Sequence, residues 1–212
     1  MKLRPYQQQL VDAVWSKLFE KNRLLVVAPP GAGKTQAFMA ICQRAIESKP
    51  DINILIILNK VMLVEQTQRR ISKVIPNTGV YCGSLNKKDI SNVTVASVQS
   101  VYKADLSKIN LVIVDEAHNF GKKEDSHYAM LFKKIDHEKL KVIGFTATPY
   151  RASGYLYGKD EFFDKIDYEI KIEELIAEGY LMEPTMKAPP HAFDTSNLKI
   201  VNGDFDNKAI SE

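Results

Sequence analysis

The sequence predicts an α/β fold, a mostly parallel sheet with helices on both faces, on three observations. Five short apolar runs, at residues 24–28, 54–58, 93–96, 111–114 and 142–145, lack the alternation of a half-exposed strand. Unbroken runs of this length read as strands buried on both faces of a parallel sheet. Segments with helical spacing separate them, and strands alternating with helices argue for parallel order with both faces covered. Each run then ends in polar or glycine residues, at 29–35, 59–60, 97–100, 115–118 and 146–148. Open α/β sheets bind ligands outside the carboxyl ends of their strands, so the chemistry is expected along one edge.

Taken in order, the chain opens on a helix over 6–20. Pro5 suits a first turn, and Leu10, Val11, Val14, Trp15 and Leu18 recur at helical spacing. The strand at 24–28 runs through a glycine loop into a helix over 34–47. A strand over 52–58 and a helix over 61–74 follow, with Val61, Val64 and Ile71 turned inward. Pro76-Asn77-Thr78-Gly79 has turn chemistry. A short extended piece, 80–82, precedes a strand at 92–96 and a short helix at 98–103. The strand at 110–114 carries an acidic motif, 119–125 is a polar loop, 126–135 a helix, and the strand at 141–145 closes the main domain. Residues 1–160 are therefore expected to form one lobe. Within 161–212 the pattern gives a helix over 170–178 stopped by Gly179, a proline-rich extended connection over 183–190, and the start of a helix over 204–212. This part reads as a linker and the opening of a further lobe.

The 212 residues are 45% hydrophobic and 26% charged, ordinary for a soluble globular chain. No apolar stretch approaches the roughly 20 residues that cross a bilayer, and the first residues hold no apolar signal core. No membrane partner and a cytoplasmic location are expected. Cys42 and Cys82, far apart in apolar surroundings, read as small buried thiols. His127, His137 and His191 lack metal-ligand spacing. The net charge of +3 is mild. Its distribution says more: Lys60, Arg69, Arg70, Lys73, Lys87 and Lys88 share a stretch whose acids are Glu65 and Asp89. Such a stretch is either a solvated face or a track for a polyanion.

Residues 28–35, Ala-Pro-Pro-Gly-Ala-Gly-Lys-Thr, match the phosphate-binding loop with alanine in place of its first glycine. Such a loop curls so that backbone N–H groups point inward at phosphate oxygens, helped by the partial positive charge of a helix amino end. Pro30, Gly31, Ala32 and Gly33 form the curl, Lys34 reaches the β- and γ-phosphates, and the Thr35 hydroxyl ligates Mg²⁺. Asp115-Glu116 ends an apolar strand, where Asp115 would hold hydrated Mg²⁺ and Glu116 would set the attacking water. His118 and the hydroxyls of Thr146 and Thr148 are read as a coupling set beside these carboxylates. Together the three motifs specify a nucleoside-triphosphate-hydrolysing site that uses Mg²⁺.

Arg4-Pro5-Tyr6-Gln7, the 28–35 loop, Asp115-Glu116-Ala117-His118 and Thr146-Ala147-Thr148 resemble, in this order, the opening motifs of superfamily 2 helicases and translocases. Residues 3–8, 97–101, 111–118, 144–151 and 173–184 are similar to the bacterial RadD-like group within it. The resemblance implies a RecA-like lobe and an adenine-recognition role for Arg4 and Gln7. A glutamine amide pairs with the N6/N7 edge of adenine, and an arginine stacks on a ring. The resemblance also implies that Lys60, Gly83, Ser84, Ser97 and Gln99 contact a nucleic-acid backbone; DNA is the favoured partner, with RNA left open. Short hydroxyl, amide and lysine donors suit phosphate oxygens, which carry no sequence information. Members of the family carry a second RecA-like lobe that supplies arginine fingers, and nothing after Arg151 matches one.

The reading is thus an amino-terminal ATP-binding lobe of a nucleic-acid-dependent ATPase, with an isolated piece nearly inactive for want of the arginines. A motor subunit of a restriction or remodelling machine and a nucleotide-switched binding module without motor activity are the alternatives. A small-molecule kinase shares the phosphate loop but has no use for the acidic and threonine motifs in this order.

Overall fold

The computed structural model describes residues 2–120, 126–135, 138–151 and 154–183, and two short strands, Ile200–Val201 and Asp204–Phe205. The chain forms two units, residues 1–181 and 182–212. In the first unit the strands are β1 (Arg23–Val27), β2 (Ile54–Leu58), β3 (Gly79–Cys82), β4 (Lys87–Lys88), β5 (Val93–Ser97), β6 (Leu111–Asp115), β7 (Lys141–Thr146), β8 (Tyr150–Arg151), β9 (Gly154–Tyr155) and β10 (Ile166–Glu169). The helices are α1 (Pro5–Lys17), α2 (Lys34–Ser48), α3 (Val61–Ile71), α4 (Val98–Val101), α5 (His127–Ile135) and α6 (Ile172–Ala177). The second unit contributes a two-stranded antiparallel pair, β11 (Ile200–Val201) with β12 (Asp204–Phe205).

Eight strands make the main sheet in the order β10-β1-β7-β6-β2-β5-β3-β4. Every neighbouring pair is parallel except β3 with β4. Side chains alternate between faces along each strand, and the apolar runs accordingly feed two cores. Leu24, Val26, Ile54, Ile56, Val95, Ile113 and Phe145 pack with Leu10, Phe38, Ile41 and Val64 of α1, α2 and α3. Leu25, Leu55, Ile57, Val112, Val114 and Val142 pack on the other face with Val101, Leu131 and Phe132 of α4 and α5. This two-sided burial is why the sequence shows continuous apolar runs. Cys42 and Cys82 are buried free thiols, and burial pushes Cys42 up to about 12. Among the described residues no helix is long and apolar enough to cross a membrane.

Three expectations need correction. The first unit runs on to Leu181, past the boundary drawn at residue 160. It does so because β10 joins the sheet edge beside β1, a strand the sequence concealed. Asp167 lies within it, and acids are depleted in strands. The pairing jumps from Leu25 opposite Ile166 to Val26 opposite Tyr168, leaving Asp167 as the extra residue of a bulge. Its Oδ2 accepts the Leu25 N–H at 3.0 Å in place of a backbone carbonyl, and Lys21 Nζ stands 2.7 Å from Oδ1. Second, Asp204–Phe205 is a strand rather than the start of a helix, because it pairs back on Ile200–Val201. Third, α3 ends at Ile71 rather than at residue 74. The extended connection expected over 183–190 lies, from residue 184, outside the described residues, as do residues 121–125 of the polar loop and 206–212 of the expected helix.

Candidate active site

Parallel order brings the carboxyl ends of β1, β7, β6, β2 and β5 to one edge, and the registers place them side by side. Val27 stands opposite Thr146, Asp115 opposite Phe145, and Leu58 opposite Ser97. The residues following these strands therefore meet.

The phosphate loop turns between β1 and α2. Gly31 and Gly33 hold φ of 81° and 79°, left-handed values that residues with a side chain rarely adopt. A Cβ on Gly33 would also lie 2.4 Å from Gln7 Nε2, so the loop and the amino-terminal motif meet at this position. Gln7 is buried; its Nε2 donates to the Ala32 carbonyl at 3.0 Å and its Oε1 accepts the Arg4 N–H at 3.0 Å. Tyr6 Oη donates to the same Ala32 carbonyl at 3.1 Å. Gln7 thus spans Arg4 and the loop, with one amide hydrogen and one lone pair beyond these two bonds.

The acidic motif reaches the loop directly. Lys34 Nζ lies 3.2 Å from Glu116 Oε1, with the lysine side chain 14% exposed. Glu116 holds φ of 55°, a sparsely populated conformation for a side-chain-bearing residue, of the sort that clusters at functional sites. His118 Nδ1 stands 3.2 Å from Glu116 Oε2, 3.1 Å from Thr146 Oγ1 and 3.4 Å from Thr148 Oγ1. Thr146 gives its one hydroxyl hydrogen to the Thr148 carbonyl at 2.9 Å and accepts the Thr148 N–H at 3.1 Å. Toward His118 Nδ1 it is therefore placed as an acceptor, while Nε2 faces Asn119 Nδ2 at 3.4 Å. Asn119 Nδ2 also donates to the Glu116 carbonyl at 3.0 Å.

Asp115 is the site's strained member. Burial pushes its carboxyl up to about 6, against the pull of Lys34. Its Oδ1 is buried, with no hydrogen-bond partner among the described residues. A buried carboxylate oxygen with nothing to accept from is a seat for a cation, and Thr35 opens α2 just beyond Lys34. A cavity of about 440 Å³ is lined by Pro30, Asp115, Glu116, His118, Thr148 and Lys60, among others.

The further half of the edge is different. Lys60, Gly83, Ser84 and Gln99 are exposed where β2, β3 and β5 end. Gln99 Nε2 donates to Asn59 Oδ1 at 2.8 Å. Ser97 departs from its expected place: it is 2% exposed, and its Oγ bonds Ser100 Oγ at 3.0 Å. Ser100 Oγ in turn accepts the Gly83 N–H at 2.8 Å. The Ser97 hydroxyl thus supports the Gly83 turn instead of facing solvent. Sequence reasoning passed over Asn119, Asn59 and Ser100. Their one signal was position: Asn59 and Ser100 lie within strand-end clusters, and Asn119 directly follows one.

The family described as type III restriction enzyme, res subunit, matches residues 1–151. The chain belongs to this family. It is the amino-terminal RecA-like lobe of a superfamily 2 helicase-type protein, as the motif order implied. It is 31% identical over 220 residues to IRC3 of Saccharomyces cerevisiae, covering 96% of this chain and 31% of that protein. It is likewise 31% identical over 183 residues to the DNA 3'-5' translocase XPB2 of Sulfurisphaera tokodaii, covering 82% and 37%. The fold is similar to part of a nuclease-deletion mutant of the type ISP restriction-modification enzyme LlaGI, solved in complex with a DNA substrate mimic. There the TM-score is 0.66 at 17% identity, over 85% of this chain and 21% of that one. The chain therefore spans about a third of the length of the curated relatives it matches.

Proposed function

We propose that this lobe binds ATP with Mg²⁺ and supplies the hydrolytic carboxylates of a nucleic-acid-dependent ATPase that moves on DNA. The observation that carries this reading is the 3.2 Å ion pair of Lys34 with Glu116. It makes neighbours of a phosphate loop and an acidic motif 82 positions apart. Lys34 would exchange Glu116 for phosphate oxygens when a triphosphate enters. Glu116 Oε1 is then released to accept a hydrogen bond from the attacking water, while His118 keeps hold of Oε2. The orphaned Asp115 Oδ1 and the Thr35 hydroxyl would hold the metal ion. A pair of protein donors suits Mg²⁺, which keeps waters and takes phosphate oxygens for the rest of its shell. Bound there, Mg²⁺ neutralises charge on the phosphate oxygens.

His118, Thr146 and Thr148 would carry the state of this site to the end of β7. The exposed Lys60, Gly83, Ser84 and Gln99 would face a DNA backbone, with Ser97 behind them as a support. DNA is favoured because XPB2 is named a DNA translocase and LlaGI was solved with a DNA mimic. Arginine fingers would come from a second lobe in the parent protein. Arg151 is no substitute: it bonds the Phe120 carbonyl and pairs with Glu161 at 2.8 Å. Missing fingers cost about 10³–10⁵ in turnover, so the 212 residues alone are expected to bind nucleotide and hydrolyse it slowly. The family's description gives weight to a second reading, a motor within a restriction machine; a nuclease or methylase domain in the parent protein would select it.

Lys34→Ala tests the reading. Titration calorimetry with ADP should show binding lost while circular dichroism stays that of the unaltered fold. Undiminished ADP affinity would remove the phosphate loop from its role.

A further inference from the structure

Tyr180 and Leu181, inside the 173–184 stretch, were given no role by the phosphate-loop, acidic or threonine motifs, yet they touch the nucleotide site. Helix α6 ends in a tight cap: Gly179 holds φ of 73° and its N–H bonds the Ile176 carbonyl at 2.9 Å. The N–H groups of Tyr180 and Leu181 both return to the Leu175 carbonyl, at 2.8 and 3.0 Å. Leu175 is itself buried in the core, so the cap fixes where the next two side chains fall. They fall on the phosphate loop and the amino-terminal motif. Leu181 Cδ2 lies 2.9 Å from where a Cβ on Gly31 would stand. The Tyr180 ring is tilted against Tyr6 with centroids 4.9 Å apart, and the Arg4 guanidinium sits 5.0 Å over the Tyr180 ring. Arg4 Nη1 also donates to Tyr6 Oη at 3.4 Å, so the ring pair of Tyr6 and Tyr180 holds a guanidinium that is otherwise exposed.

We propose that Tyr180 is a positioning residue for recognition of the nucleotide base, holding the Arg4 guanidinium flat so that its free face takes a purine ring. This rests on the nucleotide-site reading above and adds to it a residue far along the chain. A long exposed arginine samples many rotamers, and ordering it on binding weakens affinity. An aromatic ring under one face fixes the plane beforehand by a cation–π contact. The opposite face then offers a flat, weakly hydrated surface to stack on a base. A gap of 5.0 Å between Arg4 and Tyr180 leaves no room for a base between them, so Tyr180 acts through Arg4.

The test compares ADP with inorganic pyrophosphate, which has no base, by calorimetry on the 212-residue chain. Tyr180→Leu should weaken ADP about fivefold and leave pyrophosphate unchanged, while Tyr180→Phe restores ADP affinity. Arg4→Ala combined with Tyr180→Leu should bind ADP no worse than Arg4→Ala alone. Equal losses for ADP and pyrophosphate would mean a general disturbance of the loop and overturn the proposal. So would unchanged ADP affinity, or additive losses in the double variant. Tyr180→Met, of similar bulk, replaces the leucine variant should that one fail to fold. If the unaltered chain binds neither probe, the nucleotide-site reading fails and this proposal with it.

Discussion

The two halves of the sheet's carboxyl edge are built on opposite principles. Around β1, β7 and β6 the functional side chains are partly buried and bonded to one another, from Lys34 through Glu116 and His118 to Thr146 and Thr148. Around β2, β5 and β3 they are exposed, and Lys60 stands at the amino end of α3 facing solvent. The first half holds charge in a low-dielectric setting, where each group needs a partner and one oxygen of Asp115 has none. The second offers donors to water. A polyphosphate-metal complex with fixed geometry suits the first, and a mobile polyanion whose sequence is not read suits the second. Removing a side chain should therefore have a large, localised effect in the first half and a small, salt-dependent one in the second.

The sharpest break comes from Glu116→Gln in the full-length parent protein. Losing a group that orients or deprotonates water costs about 10²–10⁴ in rate. The prediction is nearly abolished ATP hydrolysis with ADP affinity within severalfold of the unaltered protein. Turnover that survives in a steady-state assay would take Glu116 out of the chemistry.

Next in size is Asp115→Asn, read as stability. Folding raises the Asp115 carboxyl from 3.8 to about 6 through burial, so the folded state prefers the protonated form. Its contribution to stability is full below about pH 4 and is lost as pH rises through about 6. At pH 7.5 the nucleotide-free protein carries an ionised, half-satisfied carboxylate that asparagine does not. Asp115→Asn should be about 3 kcal/mol more stable at pH 7.5, with the gain fading below about pH 4, by urea melts across that range. A gain independent of pH would show that the oxygen is not electrostatically strained. The same variant should lose the effect of Mg²⁺ on ADP binding.

The difference between the halves also explains what the sequence made legible. The glycine loop, Asp115-Glu116 and the threonine couplet have fixed spacings because side chains must meet at about 3 Å in one geometry. Such constraints leave a readable pattern, and the apolar runs placed all three on strand ends. Lys60 and Gln99 are exposed, with Gln99 bonded to Asn59 beside it; no partner in the buried site imposes a spacing on them, and the resemblance marked them as contacts. Ser97, implied by the resemblance to be a backbone contact, is buried on Ser100 Oγ, a pairing within the strand-end cluster that spacing alone does not reveal. Strand β10 was hidden for a different reason: Asp167 is tolerated inside it only because Lys21 and the Leu25 N–H satisfy its oxygens. A compensation made by partners distant in sequence is invisible in a local window.

A smaller effect probes the link between the threonine couplet and the carboxylates. Thr146→Val keeps the shape at a fully buried position but removes the acceptor from His118 Nδ1 and the bonds within residues 146–148. Loss of hydrogen bonds of this type is worth about 1 kcal/mol of stability. More telling is the readout that stability does not move: stimulation of ATP hydrolysis by DNA in the parent protein should fall several-fold while basal hydrolysis is retained. Equal losses in both rates would make Thr146 a structural residue only.

The smallest effect belongs to the open half. Lys60→Ala removes one exposed cation whose partner, if any, is a phosphate outside the chain. A single phosphate contact changes the slope of log affinity against log salt by about 0.7 on single strands and about 0.9 on duplex DNA. The variant should bind an oligonucleotide less tightly at low salt, converge with the unaltered protein as salt rises, and leave ADP affinity untouched. Sequence context of the oligonucleotide should not matter, since a backbone contact carries no base information. An unaltered salt slope would return Lys60 to the solvated face. The open half would then have no ligand assigned to Lys60, and the contrast between the two halves would reduce to buried against exposed.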